Sequence, residues 1–204
     1  MLVHVLACGP SISRYEKIGW PKGDITIGCN GVGLLCPKLD AWIACDPMPA
    51  LVEAWAKDFK GTTFCSAANK HQFPNAVCLK QWGSQGPLNP ENAQKHGFYW
   101  HGSVAHAACE VARLCYKADR IVVHGLDYKS NEHCYDKLDS SLKRGPQGWD
   151  METVERTWNS MGLEYDRMGV ELLNGNPDSG LRTLPFGDGT GPVQTCWHRG
   201  EERP

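Results

Sequence analysis

The fold class is first indicated by the segment Leu2-Val3-His4-Val5-Leu6-Ala7-Cys8-Gly9-Pro10-Ser11, in which an apolar run of strand length ends abruptly on small, turn-forming residues. Two similar apolar runs follow: residues 25–29 end on Asn30-Gly31, and residues 41–45 end on Asp46-Pro47. In open α/β sheets, ligands bind beyond the carboxyl ends of the strands. Small residues there let the backbone approach a phosphate or ribose, and a helix after Ser11 would direct N–H groups at an anion. We therefore expect a nucleotide site at this edge.

Composition limits the classes of function. The chain has 204 residues and a formal net charge of −2, so we expect one domain and no avid, non-specific binding of nucleic acid. No apolar run reaches the ~18 residues that a membrane-spanning helix needs. The amino terminus has no basic region before its apolar segment, so no signal peptide is predicted. A cytoplasmic location is expected.

The ten cysteines favour core packing over disulfides or zinc, because no Cys-x-x-Cys pair occurs and most of them lie within apolar runs. The cysteines expected to be buried, reduced thiols are Cys8, Cys29, Cys45, Cys65, Cys78, Cys109 and Cys115.

Strand and helix patterns alternate along the chain. Further strands are predicted at residues 62–65, 76–79, 120–124 and 169–173, helices at 48–59, 102–117 and 150–168, and an irregular loop at 81–100. The alternation predicts an α/β fold, a single Rossmann-like domain over residues 1–185 with a mostly parallel sheet and helices on both faces. Residues 129–149 are polar and rich in turn formers, which indicates a lid or acceptor loop, and residues 186–204 are expected to form a weakly ordered tail.

Four short motifs occur in order: Gly9-Pro10-Ser11 after the first strand, Asn30 after the second, Ser103 at the start of helix 102–117, and Gly125-Leu126-Asp127-Tyr128 after strand 120–124. Over residues 1–180 this combination resembles the bacterial sialyltransferases that use CMP-activated sugars. It also resembles a broader group of proteins of unknown function, which includes phage-encoded members and is similar to an archaeal-type hydroxymethylpterin diphosphokinase.

The resemblance implies a set of contacts to the nucleotide. The residues expected to bind it are Gly9, Pro10, Ser11, Asn30, Asp46, Gly102, Ser103, Gly125 and Tyr128, joined by His101, which precedes the helix and can donate to a phosphate. Aromatic rings in or beside irregular segments, Trp100, Tyr135 and Trp149, are predicted to contact the substrate, and Trp82 and Trp158 are further stacking candidates. Asn30-Gly31 also fits an ordinary tight turn.

Two residues are candidates for catalysis. The sialyltransferases use a histidine as general base before the last strand, but residues 145–158 contain no histidine. Asp127 ends a buried strand, where a charge needs a partner, and it would otherwise cap a turn. His133 lies in a polar loop, and an ordinary imidazole titrates near neutral pH, which suits a general base. The alternative for His133 is a plain surface residue.

These features predict a glycosyltransferase that moves a sugar from a CMP- or other nucleotide-activated donor to a hydroxyl of a small molecule, a surface glycan or, in a phage setting, a hydroxymethylated DNA base. One alternative is a Mg²⁺-dependent diphosphokinase acting on a pterin-like alcohol, and another is an inactive nucleotide-binding module. No Asp-x-Asp or Gly-x-x-x-x-Gly-Lys motif occurs, so neither a resident metal site nor a tightly bound cofactor is predicted. The nucleotide sugar is a co-substrate, Mg²⁺ is possible but not required, and oligomerisation stays open.

Overall fold

A computed structural model describes residues 1–79, 103–129, 132–138 and 150–189, together with the backbone of residues 81–82 and 98–99. The strands are β1 (Leu2–Leu6), β2 (Ile25–Cys29), β3 (Ala41–Ala44), β4 (Thr62–Ser66), β5 (Val77–Leu79), β6 (Gln81–Trp82), β7 (Phe98–Tyr99), β8 (Arg120–His124) and β9 (Glu171–Asn174). The helices are α1 (Tyr15–Ile18), α2 (Ala50–Asp58), α3 (Val104–Cys115) and α4 (Met151–Arg167), with 3-10 turns at Pro10–Arg14, Asn30–Leu34 and Ala67–Asn69.

Seven strands form one parallel sheet in the order β5-β4-β3-β2-β1-β8-β9. Helices cover both faces of the sheet, which confirms the predicted α/β class. Central strands such as β3 are buried along their whole length, which explains why they are continuous apolar runs in the sequence. Among the described helices, none combines the length and apolar character needed to cross a bilayer.

The strand order reverses between β1 and β8, and the two strands stay paired beyond their carboxyl ends. Ala7 N donates to His124 O at 2.8 Å, and Gly9 N donates to Gly125 O at 3.0 Å. The approach is so close that a methyl group added at Gly9 would lie 2.3 Å from Gly125 O. This crevice is the position where open α/β sheets bind ligands.

Helices α3 and α4 begin with side-chain caps and pack against each other. Ser103 accepts a hydrogen bond from Ala105 N at the start of α3, and Asp150 caps α4 in the same way. Between the helices, Tyr165 Oη of α4 donates to the fully buried carboxylate of Glu110 in α3 at 2.6 Å. This bond supplies a partner that a buried charge requires.

Some local expectations are wrong. The region expected to be an irregular loop, 81–100, contains the short parallel pair of β6 and β7. Cys78 and Cys115 are exposed, because β5 is an edge strand and Cys115 ends α3, whereas the other seven cysteines in the described ranges are buried. Trp158 is fully buried against His106, 4.0 Å between ring centroids, so it is a core residue and not a stacking platform.

A pair of glycine substitutions tests the contact between β1 and β8. Gly125 and Gly169 both have left-handed φ values, 76° and 72°, but only at Gly125 does an added methyl meet a backbone oxygen, that of Ala7 at 2.6 Å. Gly169→Ala is expected to lower the free energy of unfolding by about 1–2 kcal/mol through backbone strain alone. Gly125→Ala should cost a further ~1–3 kcal/mol from overpacking. Equal losses in urea unfolding would contradict the crowding at this crevice.

Candidate active site

Asp127 ties together the loops that follow β1, β8 and β9. Its Oδ2 accepts from Ser11 N at 2.7 Å, its Oδ1 accepts from the side-chain amide of Asn176, and its backbone oxygen accepts from Gly180 N at 2.7 Å. The side chain is 8 % exposed. The side-chain partners of Asp127 therefore come from the loops after β1 and β9 and not from the turn that follows Asp127, and the Ser11 amide is already engaged by this carboxylate.

Ser103 and Tyr128, which come from separate sequence motifs, contact each other. The hydroxyl of Tyr128 shares a hydrogen bond with the Ser103 hydroxyl and accepts from Trp158 Nε1 at 2.9 Å. Burial raises the pKa of Tyr128, so the phenol stays protonated at neutral pH. Two hydroxyl groups therefore lie at the amino terminus of α3, where the helix dipole favours negative charge.

Asn30 follows β2 and has a left-handed φ of 45°. Its backbone oxygen accepts from Trp42 Nε1 at 2.6 Å, which holds the residue against the sheet. The side-chain Oδ1 is buried and has no hydrogen-bond partner among the described residues, and the residue is only 7 % exposed. A buried acceptor without a donor is costly, so a ligand that supplies one would be stabilised here.

Residues 132–138 reach the end of β1. Cys134 N donates to Cys8 O at 2.8 Å, and the Tyr135 ring, 2 % exposed, lies against the backbone of Gly31. The His133 ring stacks on Tyr135 with centroids 5.2 Å apart, and its Nδ1 lies 3.8 Å from Asp136 Oδ1. The His133 side chain is 17 % exposed, so an imidazole paired with a carboxylate borders this edge of the sheet.

Of the remaining predicted site residues, Asp46 is described by the structure and lies half-buried after β3. Burial, together with the nearby carboxylate of Asp46, raises the pKa of Cys45 to about 12, so that thiol stays protonated. Trp100, His101, Gly102 and Trp149, with most of the predicted lid and tail, lie outside the described residues.

A cavity of about 530 Å³ opens between the segment after β1 and the loops after β8 and β9. Pro10, Ser11 and Asp127, three of the predicted site residues, line it. Three cationic side chains that the sequence reasoning missed also line it: Arg14, Lys17 and Lys129. Their positions in the sequence could have identified them, because each of these basic residues lies within a few residues of a strand-end motif.

Arg14 is held in this cavity by neutral partners. Its Nη2 donates to Tyr15 Oη at 2.9 Å and to Gly175 O at 2.7 Å. Tyr15 Oη in turn lies 2.6 Å from His124 Nδ1. The guanidinium is therefore connected to a side chain of the central sheet.

The buried chain continues from His124 to His4, whose ring nitrogens Nε2 and Nδ1 lie 2.9 Å apart, and ends 3.3 Å from Lys22 O. A carbonyl only accepts, so His4 Nε2 carries the proton, His124 Nε2 donates to His4 Nδ1, and Tyr15 donates to His124 Nδ1. Burial lowers the pKa of His4 and takes that of His124 to about 3. Both rings are therefore neutral, and every hydrogen bond runs in one direction.

Comparison with known proteins shows the fold. No model of a protein family matches the chain, and no curated protein matches it in sequence. Among solved structures, the chain is similar to a point mutant of the alpha-2,3/8-sialyltransferase CstII, with 14 % identity, a TM-score of 0.50 and coverage of 98 % of this chain and 93 % of that chain. It is also similar to the sialyltransferase CST-II in complex with a trisaccharide acceptor and CMP, with 15 % identity, a TM-score of 0.52 and coverage of 98 % and 92 %.

Because Asp127 links the loops after β1, β8 and β9 by hydrogen bonds, replacing it should lower the stability of the folded protein. Asp127→Ala leaves the Ser11 amide and the Asn176 amide without their acceptor, which should lower the free energy of unfolding by about 2–3 kcal/mol. Asp178→Ala is the matched control, because Asp178 lines the same cavity but is exposed. Urea unfolding of both variants measures the difference, and equal stabilities would show that Asp127 does not hold the loops.

Because His124 is buried as a neutral ring, the folded protein should lose stability in acid. Its pKa in the folded protein, about 3, lies below the ordinary 6.5, so the unfolded chain binds the extra proton between these values. Stability is therefore fully present above pH 6.5 and falls as the pH drops, by about 2 kcal/mol at pH 5 from this group. His124→Asn should flatten the decline between pH 7 and 5 in urea unfolding. An unchanged slope would mean that His124 is not a buried neutral ring.

Proposed function

We propose that this chain is a glycosyltransferase that moves a sugar from a nucleotide-activated donor to an acceptor hydroxyl. The nucleotide would bind across the carboxyl ends of β1, β2 and β8. The observation that carries the proposal is the buried Asn30 Oδ1, which lacks a donor within the described part of the chain at the ligand-binding edge of the sheet. The shared fold with a sialyltransferase solved with CMP and a trisaccharide acceptor supports CMP as the first donor nucleotide to test.

The chemistry of CMP fits the groups at this edge. The amino group of cytosine and the hydroxyls of ribose are donors that would satisfy Asn30 Oδ1. The phosphate would lie near the hydroxyls of Ser103 and Tyr128, at the amino terminus of α3, where partial positive charge accumulates. Gly9 and Gly125 carry no side chain, so the backbone itself would face the ligand at these strand ends.

His133 is our candidate for the general base. In the transfer, an acceptor oxygen bonds to the anomeric carbon of the sugar, and the bond from that carbon to the phosphate breaks with its electron pair leaving on CMP. The acceptor proton passes to His133, whose imidazolium would be stabilised by Asp136 nearby. This assignment places the base on residues 132–138, whereas the sialyltransferases carry theirs just before the last strand.

Asp127 has a positioning role in this proposal. Both of its carboxylate oxygens already accept hydrogen bonds, from Ser11 N and from Asn176 Nδ2, so the side chain is engaged by the protein. It would hold the Gly9–Ser11 turn in place beside the nucleotide rather than remove a proton.

A thermal-shift panel of CMP, UDP and ATP, each with and without Mg²⁺, tests the donor class. A nucleotide at 100 times its dissociation constant stabilises the native state by about 2.7 kcal/mol, which is roughly 5–10 °C for a chain of this size. Stabilisation by CMP or UDP without metal is expected. Stabilisation only by ATP with Mg²⁺ would contradict the proposal and favour the diphosphokinase, and no response would remove the nucleotide site altogether.

Replacement of Asn30 tests the contact that carries the proposal. Asn30→Gly keeps the left-handed backbone accessible but removes Oδ1, so CMP should bind about tenfold more weakly with a small change in stability. Asn69→Ala is the matched control, because its amide is also buried and unpartnered within the described ranges but follows β4, two strands away from β2. Equal losses of CMP affinity, measured by calorimetry, would show that Asn30 makes no specific contact.

A further inference from the structure

We propose that the cavity lined by Arg14, Lys17 and Lys129 is a binding site for an anionic group, a phosphate or a carboxylate, with Arg14 as its central ligand. The cavity has a volume of about 530 Å³, which is ample for either group, and it opens where the segment after β1 faces the loops after β8 and β9. Its lining includes none of Asn30, Ser103 or Tyr128. The site therefore goes beyond the proposed function and does not depend on it.

Arg14 carries donors that the protein leaves unused. Nη2 is engaged by Tyr15 Oη and Gly175 O. Nε is buried and has no partner among the described residues, and the same part of the chain offers no acceptor to Nη1. A buried guanidinium N–H without a partner, such as that of Nε, is costly, and phosphate and carboxylate are the acceptors whose geometry matches a guanidinium.

The guanidinium is also preorganised. Tyr15, His124 and His4 form a buried chain of neutral hydrogen bonds behind it, anchored on β1 and β8 of the central sheet. A side chain held in this way loses little further freedom when a ligand binds, so more of the interaction appears as affinity. Because both histidine rings are neutral, they place no second positive charge behind Arg14.

The charges around the cavity favour an anion. Lys17 and Lys129 are exposed and add two positive charges to that of Arg14, against the carboxylates of Asp127 and Asp178. The charge of Asp127 is compensated in part, because both of its oxygens accept hydrogen bonds from the protein. An anionic group bound beside Arg14 would therefore meet a net positive surround.

Isothermal titration calorimetry of the full chain at low ionic strength tests the site with two probes, inorganic phosphate and acetate. Saturable binding of at least one probe is expected. Arg14→Gln should weaken it at least tenfold, as for a lost charge-assisted hydrogen bond, and Lys129→Gln several-fold. Arg156→Gln is the matched control, because Arg156 is an exposed arginine of α4 outside the cavity, and it should bind like the wild type.

Lys129→Gln keeps the test decisive if Arg14→Gln fails to fold, because Lys129 is exposed and its replacement leaves the bonds of Arg14 intact. The proposal is overturned if neither probe binds, or if the folded variants bind as tightly as the wild type.

A competition experiment identifies the source of the anion. Phosphate that is displaced by CMP but not by cytidine shows that the cavity takes the nucleotide phosphate. Phosphate that stays bound in the presence of saturating CMP shows that the cavity takes an anionic group of a second ligand, such as a carboxylate-bearing acceptor. If CMP does not bind at all, the proposed function fails, but the titrations with phosphate and acetate still decide this site.

Discussion

The close approach of β1 and β8 beyond their last paired residues is the constraint on which the rest of the site depends. The backbone bond from Gly9 to Gly125 leaves no room for a side chain at either position. It brings Asp127 within reach of the Ser11 amide, and through Asn176 it also fixes the loop after β9. One crowded backbone contact therefore positions the loops of three strands at the edge where this class of sheet binds ligands.

Electrostatics divides this edge into two regions. In one region, Ser103, Tyr128 and Asn30 offer hydroxyl and amide groups, to which the proposed nucleotide would bind. The other contains the basic residues around Arg14, supported from within the sheet by the neutral pair His4 and His124. A buried polar chain of this kind is stable only when every member has a partner, and here the terminal carbonyl of residue 22 sets the direction of all its bonds.

The chain shares its architecture with the sialyltransferase structures, but a shared architecture does not fix the chemistry of the site. The similarity to the sialyltransferase structures, at 14–15 % identity, extends over almost the whole chain and shows a common architecture. Architecture alone does not transfer a reaction, because function resides in side chains placed on the fold. Residues 145–158 contain no histidine, and the general base that we propose, His133 beside Asp136, comes from a different part of the chain.

The sequence predicted the seven strands of the large sheet and the parallel α/β class, because fully buried strands must be continuous apolar runs and turn residues must follow them. It also placed Asn30 directly after a strand and Ser103 at the start of a helix, where the structure has them. Three-dimensional contacts were needed to show that two amides donate to Asp127, that Trp158 lies in the core, and that Arg14 lines a cavity. These facts depend on contacts between residues 30 to 161 positions apart in the chain, and local sequence patterns carry no information on such pairings.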